Sequence, residues 1–425
     1  MRQPLPSIQD TQFESLRWSS EPEFFAPHAT RSLPGVLPTL YAMLERPLSG
    51  WPTLEAWLPE VPRGRKRALL LCVDGMGFKE IGQSQALKSL WSQYGSWITS
   101  VFPSITSAAL TSIYQAQPPG RHGLAGHHIW KNMPGALLDA LRMQVLGASA
   151  PLEASGFDVN LWKREPGLLD LDEAYSGIEA IQLLPQGIVG TGLSHFAYGK
   201  LPLSGYAHEV EAFAKAARLL PQMRTGWVGI YTPTIDTLAH HWSGANSEVG
   251  LCLRWLEDCL KWLAQQLPPE IRRDTAVIVA TDHGHADVKQ HVDLDSEKLQ
   301  WLQQNTRAVG HSGRVLHIYG PTSENDVKAW LAQLVGDAGH VFNFDDVSAL
   351  AGVDTGADQA WREFARESLG DIVVVLRDGH NWRRPQKTPP TDPAPTQLVS
   401  QHGGLSWNEM VVPFIAAPLE TLADL

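Results

Sequence analysis

Asp282 and His283 stand side by side, directly after the apolar run Thr275-Ala276-Val277-Ile278-Val279-Ala280. A carboxylate and an imidazole are both ligands for zinc or manganese. Gly284 comes next and lets the backbone turn away. Three other segments offer the same kind of group. Asp74 ends the apolar run that starts at Arg67. Asp236 and His240 are four apart, so on a helix both project from one face. His402 stands before two glycines. Each has an ordinary use too: Asp74 as a turn residue before Gly75, Asp236 as a helix cap after Pro233, His402 as a loop histidine. Thr106 adds a hydroxyl at the start of a helical stretch. That hydroxyl is a weak nucleophile unless a base or a metal removes its proton. At a helix N-terminus it lies beside free N–H groups, which suit a phosphate; an N-cap threonine looks the same.

The elements that must position these groups are read from hydrophobic patterning. Strand-like runs occur at 67–73, 97–101, 226–231, 275–280, 314–319, 371–376 and 410–416. Helical patterns fall at 79–90, 106–116, 234–242, 249–267 and 324–334. The alternation predicts an α/β fold, a doubly wound and mainly parallel sheet with helices on both faces. In such a sheet ligands gather at the C-terminal strand edge, where all the candidate groups fall. Residues 1–60 lack clean periodicity and are expected as an arm packed on the core. Residues 61–425 are expected as a single domain, with a cap-forming insertion at about 130–225 and further cap residues at 320–400. A Pro/Thr-rich loop is expected at 385–395.

Composition bounds the partners. The chain has 425 residues, 43% of them hydrophobic and 19% charged, with a net charge of −11. That charge disfavours long nucleic acid or an anionic membrane as a partner. A small anionic substrate is still allowed, because a metal reverses the local field. Three cysteines point to a reducing compartment rather than a disulfide framework. Cys252 and Cys259 share a helical stripe with Trp255, Leu256 and Leu263, and Cys72 lies in a strand, so all three read as core. Residues 1–20 lack an apolar signal region and no window spans a membrane, so a soluble cytoplasmic protein is expected.

The ordered motifs V-D-G-M-G, F-P-S-I-T-S-A-A-L-T-S, P-P-G-R-H-G-L, I-D-T-L-A-H, T-D-H-G-H and Q-H-G-G resemble the alkaline phosphatase superfamily, in its type I phosphodiesterase and nucleotide pyrophosphatase branch. The resemblance runs from about residue 67 to 416. It implies an alkaline phosphatase-like catalytic domain with two divalent ions, Zn2+ first and Mn2+ as the alternative. Asp74, Thr106, Asp282 and His283 would hold one ion, and Asp236, His240 and His402 the other. Thr106 would attack phosphorus and give a phosphothreonine intermediate. The implied activity is hydrolysis of phosphate diesters or pyrophosphates, with a small, nucleotide-like substrate. Alternatives are a phosphomonoesterase or phosphonate hydrolase on the same core, and a non-catalytic metal-binding protein. One departure matters. Diesterase relatives carry an Asn after the nucleophile that contacts a phosphoryl oxygen, and none occurs between Thr106 and Lys131. Ser107, His127 and Arg314 are the candidates to replace it. His285, Asp287 and His291 lie just beyond the Asp-His pair and read as polar loop residues or as groups supporting the ligands.

Overall fold

The computed structural model describes residues 4–18, 21–384 and 398–423. The expected loop at 385–395 lies outside them. The central sheet has seven strands: β1 (Arg67–Val73), β2 (Gly95–Thr99), β3 (Glu179–Pro185), β4 (Leu203–Tyr206), β5 (Gly226–Thr232), β6 (Thr275–Ala280) and β7 (Val411–Pro418). Their spatial order is β2-β7-β6-β1-β5-β3-β4. From β6 to β4 every pairing is parallel; β7 runs antiparallel to both its neighbours. Every residue of β1, β5 and β6 is buried, as a sheet covered on both faces requires. Alternate side chains of β1 feed two cores: Leu69, Leu71 and Val73 on one face, Ala68, Leu70 and Cys72 on the other.

Three helices matter for the site: α1 (Thr106–Gln115), α2 (Thr234–Trp242) and α3 (Ser247–Gln266). Asn246 caps α3 by accepting from Glu248 N, and Leu253, Leu256, Leu260 and Leu263 form its buried stripe. Cys252 and Cys259 pack on that same face, and Cys72 is buried in β1. The stretch expected as one helix at 79–90 is two, Phe78–Ile81 and Gln85–Tyr94. Ser84 separates them and caps the second, accepting from Leu87 N at 2.8 Å. The N-terminal residues Phe13, Phe24 and Phe25 are buried, and Phe13 meets Trp97 and Trp407 edge-on.

One expectation needs correcting. The strands near 314–319 and 371–376 do not join the central sheet. They belong to a second, antiparallel sheet whose order is Gly339–Asn343, Ile372–Leu376, Val315–Pro321, Thr306–Ser312, His128–Lys131, Ala136–Asp139, Gln144–Val145. Within 130–225, β3 and β4 extend the central sheet in parallel with β5. An apolar run predicts a strand but not its partner.

A buried ion pair ties the two sheets together. Arg314, between the strands of one hairpin, pairs with Glu409 just before β7; both side chains are almost wholly buried. Glu409 also accepts from Gly404 N at 2.8 Å and Ser406 N at 3.0 Å. It thereby holds the loop that carries His402. Among the described residues no helix is long and apolar enough to cross a membrane.

Glu409→Gln should lower unfolding stability by about 3–5 kcal/mol, because it leaves a buried guanidinium uncompensated. Urea unfolding checks this, and a loss under about 1 kcal/mol would show that the pair does not fasten the sheets. A second expectation concerns pH. Burial lowers His122 to about 3 and His317 to about 4, from 6.5. Both rings are neutral and hydrogen-bonded in the fold. Their stabilisation is therefore complete above pH 6.5 and is lost as pH falls toward 4, since only the unfolded chain takes up the protons. The slope is about 1.4 kcal/mol per pH unit for each histidine. His317→Gln should flatten the fall in urea stability of metal-free protein between about pH 7 and 5, and an unchanged slope would remove His317 from that account.

Candidate active site

Three parallel strands end in register at one edge. Ala280 of β6 pairs with Cys72 of β1, which pairs with Tyr231 of β5. The chain leaving each strand delivers one piece of the site: Asp282 and His283 after β6, Asp74 after β1, and α2 with Asp236 and His240 after β5. Thr106 arrives on the segment after β2, as the first residue of α1. His402 arrives ahead of β7. The last two segments are stitched together: Ser104 forms a bridge with Gly403 and donates to Gly404 O at 2.8 Å. Two glycines are required by contact. Gly75 has φ +72°, and a Cβ there would lie 2.7 Å from His285 Nε2. Gly403 has φ +106°, and a Cβ would meet Ser312 O at 2.3 Å.

The side chains converge. Asp74, Asp282 and His283 form one group, and Asp236, His240 and His402 another, with the ligand atoms of each group within 4.8 Å of one another. A third group, Asp236, His283 and His285, overlaps both. His283 Nε2 lies 3.4 Å from Asp74 Oδ1, 3.4 Å from Asp282 Oδ2 and 3.2 Å from Thr106 Oγ1. Asp236 Oδ1 lies 3.0 Å from His285 Nε2, 3.3 Å from His240 Nε2 and 3.4 Å from His402 Nε2. The rings of His283 and His402 stack at 3.6 Å.

The hydrogen-bond network fixes the imidazole tautomers. Nδ1 of His240 meets Ser400 O at 3.0 Å, that of His402 meets Ser104 O at 3.1 Å, and that of His283 meets Gly284 O at 3.2 Å. A carbonyl only accepts, so each Nδ1 carries a hydrogen, and Nε2 is the nitrogen that faces the carboxylates. His285 bridges two segments: its Nδ1 lies 3.0 Å from Ser400 Oγ, which donates to Ala239 O at 2.6 Å, and its Nε2 is hydrogen-bonded to Asp236 Oδ1 at 3.0 Å. On the acid side, Tyr231 donates to Asp74 Oδ2, while Asp74 Oδ1 and Asp282 Oδ2 are buried without a donor.

Electrostatics sharpen the conflict. Burial, together with the Asp282 and Asp236 charges, pushes Asp74 well above the usual carboxyl range. Burial also raises Asp236, but His240, His285 and His402 outweigh it and hold that carboxyl well below its usual value. Burial lowers His285 to about 4 and carries His402 well below its usual value. These rings are neutral near pH 7. The carboxylates of Asp74 and Asp282, each with an oxygen buried without a donor, repel one another unless a cation lies between them. The mixed Asp/His donor set suits zinc or manganese, so the residues fit the two-ion centre implied by the resemblance.

The other sequence candidates fare differently. His285 is wholly buried and inside the cluster, rather than a loop residue. Asp287 pairs with Lys79 and accepts from Ser243 Oγ at 2.8 Å, and His291 sits on a short strand; neither joins these groups. Arg314 is not available to a phosphate. Besides Glu409, its guanidinium donates to the carbonyls of His380, Leu376 and Arg377. Ser107 Oγ donates to Gly126 O at 2.9 Å and lies 3.0 Å from His127 Nδ1. When that one hydroxyl hydrogen goes to Nδ1 instead, His127 Nε2–H becomes a donor. Burial lowers His127 to about 3, so its ring is neutral. It lines a cavity of about 250 Å3 that opens beside Ile105, His240 and His402.

Solved structures share this architecture. Murine ectonucleotide pyrophosphatase/phosphodiesterase 5 is 14% identical with a TM-score of 0.59, covering 82% of this chain and 87% of its own. Its human counterpart is 15% identical with a TM-score of 0.60 at the same coverage. Phosphonoacetate hydrolase from Sinorhizobium meliloti 1021, in complex with phosphonoacetate, is 15% identical with a TM-score of 0.58, covering 88% and 96%. At such identities the likeness shows the fold. No curated protein matches the sequence. The sequence does match one family along residues 68–404, a span holding every residue of the two groups. The chain thus belongs to the type I phosphodiesterase / nucleotide pyrophosphatase family, whose members are phosphoric ester hydrolases.

Proposed function

We propose that the chain hydrolyses phosphate diesters or pyrophosphates with two divalent ions, zinc in first place, and with Thr106 as the nucleophile. The observation that carries this is the convergence of imidazole nitrogens and two donorless carboxylate oxygens beside the Thr106 hydroxyl. Asp74, Asp282 and His283, with Thr106, would hold one ion; Asp236, His240 and His402 would hold the other, with His285 against the same carboxylate. Bound there, such ions would offset phosphoryl charge and lower the proton affinity of the Thr106 hydroxyl.

The chain's own residues supply the rest. Thr106 opens α1, so free backbone N–H groups of its first turn face the same point and suit a phosphoryl oxygen. Attack by Thr106 Oγ1 on phosphorus forms a phosphothreonine as the bond to the leaving oxygen breaks. Water then cleaves the phosphothreonine and restores the hydroxyl. His283 and His402 serve as neutral ligands, not as general bases. Tyr231 restrains Asp74 so that a single oxygen, Oδ1, faces the centre. His127, on the cavity wall beside His240 and His402, is the candidate to replace the missing Asn once the Ser107 hydrogen turns from Gly126 O to its Nδ1. A variant of murine ectonucleotide pyrophosphatase/phosphodiesterase 5 with threonine replaced by alanine, described as inactive, has been solved with AMP. That supports a threonine nucleophile and a nucleotide-like substrate here. The absence of an Asn between Thr106 and Lys131 favours a second reading, a phosphomonoesterase or phosphonate hydrolase on the same core.

The test is turnover of bis(4-nitrophenyl) phosphate and 4-nitrophenyl phosphate, with and without a chelator. The metal-loaded protein should hydrolyse the diester faster, and chelation should abolish this. Thr106→Ala should cut turnover by about 10³-fold or more while most bound zinc remains. Full activity in that variant would remove Thr106 as nucleophile. Tyr231→Phe should weaken zinc binding by about tenfold in chelator competition, at one site of the two. Equal affinity at both sites would rule out the restraint on Asp74.

A further inference from the structure

Gln401 stands next to His402 and faces Ala286 across a short two-stranded ladder. It is 9% exposed and lines the cavity of about 250 Å3 beside Ile105, His127, His240 and His402. One contact fixes which end of its amide is which. The backbone N–H of His402 reaches that amide at 2.8 Å. A backbone N–H only donates, so the atom it meets is the carbonyl oxygen, Oε1, and the NH2 group is the opposite end. The hairpin turn of the second sheet closes on the same oxygen: a Cβ at Gly313, where φ is +58°, would lie 3.3 Å from Oε1. The oxygen end is thus packed against protein.

Nε2 is the unused end. Among the described residues it has no hydrogen-bond partner, and it is not sealed in. In a residue otherwise buried, such a donor opens onto the cavity that the residue lines. A polar group held in so closed a place without a partner costs free energy, which a bound acceptor recovers. The one carboxylate in the lining, Asp139, is already committed: it accepts from Leu141 N at 3.1 Å, Arg142 N at 3.2 Å and Arg142 Nη1 at 2.7 Å. His127 becomes a donor only when the Ser107 hydrogen leaves Gly126 O. Gln401 needs no such rearrangement, because an amide nitrogen keeps both hydrogens.

We propose that Gln401 is a substrate-binding residue of this site, its Nε2–H donating to a phosphoryl oxygen on the His402 side. The assignment rests on the hydrolase reading. With no Asn between Thr106 and Lys131, the amide donor arrives instead on the segment that brings His402. One side chain then has two duties: Oε1 steadies the backbone of His402, and Nε2 meets the substrate.

Substitution separates the two duties. Gln401→Glu keeps an oxygen for His402 N and puts a second acceptor where the NH2 stood. Gln401→Met removes both ends without adding charge. Calorimetry measures orthophosphate binding to zinc-loaded protein, and chelator competition measures zinc. Both variants should weaken orthophosphate about tenfold or more, the equivalent of one hydrogen bond to a charged group, while Gln401→Glu keeps both zinc affinities within about threefold. An orthophosphate affinity kept in Gln401→Met would overturn the proposal, since a loss in Gln401→Glu alone is a charge effect. So would a loss matched by an equal loss of zinc affinity, as a residue that serves only His402 would give, or a zinc-loaded parent that takes up no orthophosphate. The hydrolase reading fails separately, if metal-loaded wild-type protein turns over neither nitrophenyl ester; orthophosphate binding still reads the donor in that case.

Discussion

Repulsion among buried lone pairs is the constraint on which the rest of this structure depends. Asp74 Oδ1 and Asp282 Oδ2 have no donor, and the carboxyl of Asp236 is crowded by His240, His285 and His402. A fold tolerates this only if its backbone leaves the side chains no retreat. Here the three central strands end in register, so the carboxylates cannot slide apart along the sheet. The carbonyls of Ser400, Ser104 and Gly284 lock the rings from behind. The architecture uses rigidity to keep like groups together, as a centre prepared for cations demands.

The second sheet supplies cover that the first does not. A bare strand edge would leave the groups open to water on one side. The antiparallel sheet brings His128 and His311 over that side, and the Arg314 to Glu409 pair fixes its distance from the central sheet. The same pair anchors the backbone N–H of Gly404, close along the chain to His402. Packing between layers and position of a ligand are therefore one problem, solved by one carboxylate.

Much of this is legible in the chain, and the limits have physical causes. Asp74, Asp282 and His283 announce themselves because a buried parallel strand is a continuous apolar run, and the residues just past its end must sit at the sheet edge. Asp236 and His240 carry a helical spacing. His285 carries no such mark: its place is set by Asp236, 49 residues earlier, and by Ser400, 115 residues later. Arg314 looks available in the sequence because its partner lies 95 residues away. The strands of the second sheet are visible as strands, yet their sheet is not, since pairing is a long-range choice. The same limit hides β3 and β4 inside a span expected to cover the site.

The position of β7 in the central sheet has a consequence for how the molecule comes into being. It is the last strand of the described chain, yet it lies between β2 and β6, not at an edge. Until it arrives, β2 has no neighbour in the sheet and β6 presents an open row of backbone donors and acceptors. Such an unfinished sheet is prone to pair with another chain. Closing it requires a contact from Gly95 to Ile415, across most of the chain, which makes assembly slow. His402 travels on the same segment. Completion of the sheet and completion of the ligand set are thus a single event, and a chain without β7 in place holds an incomplete centre.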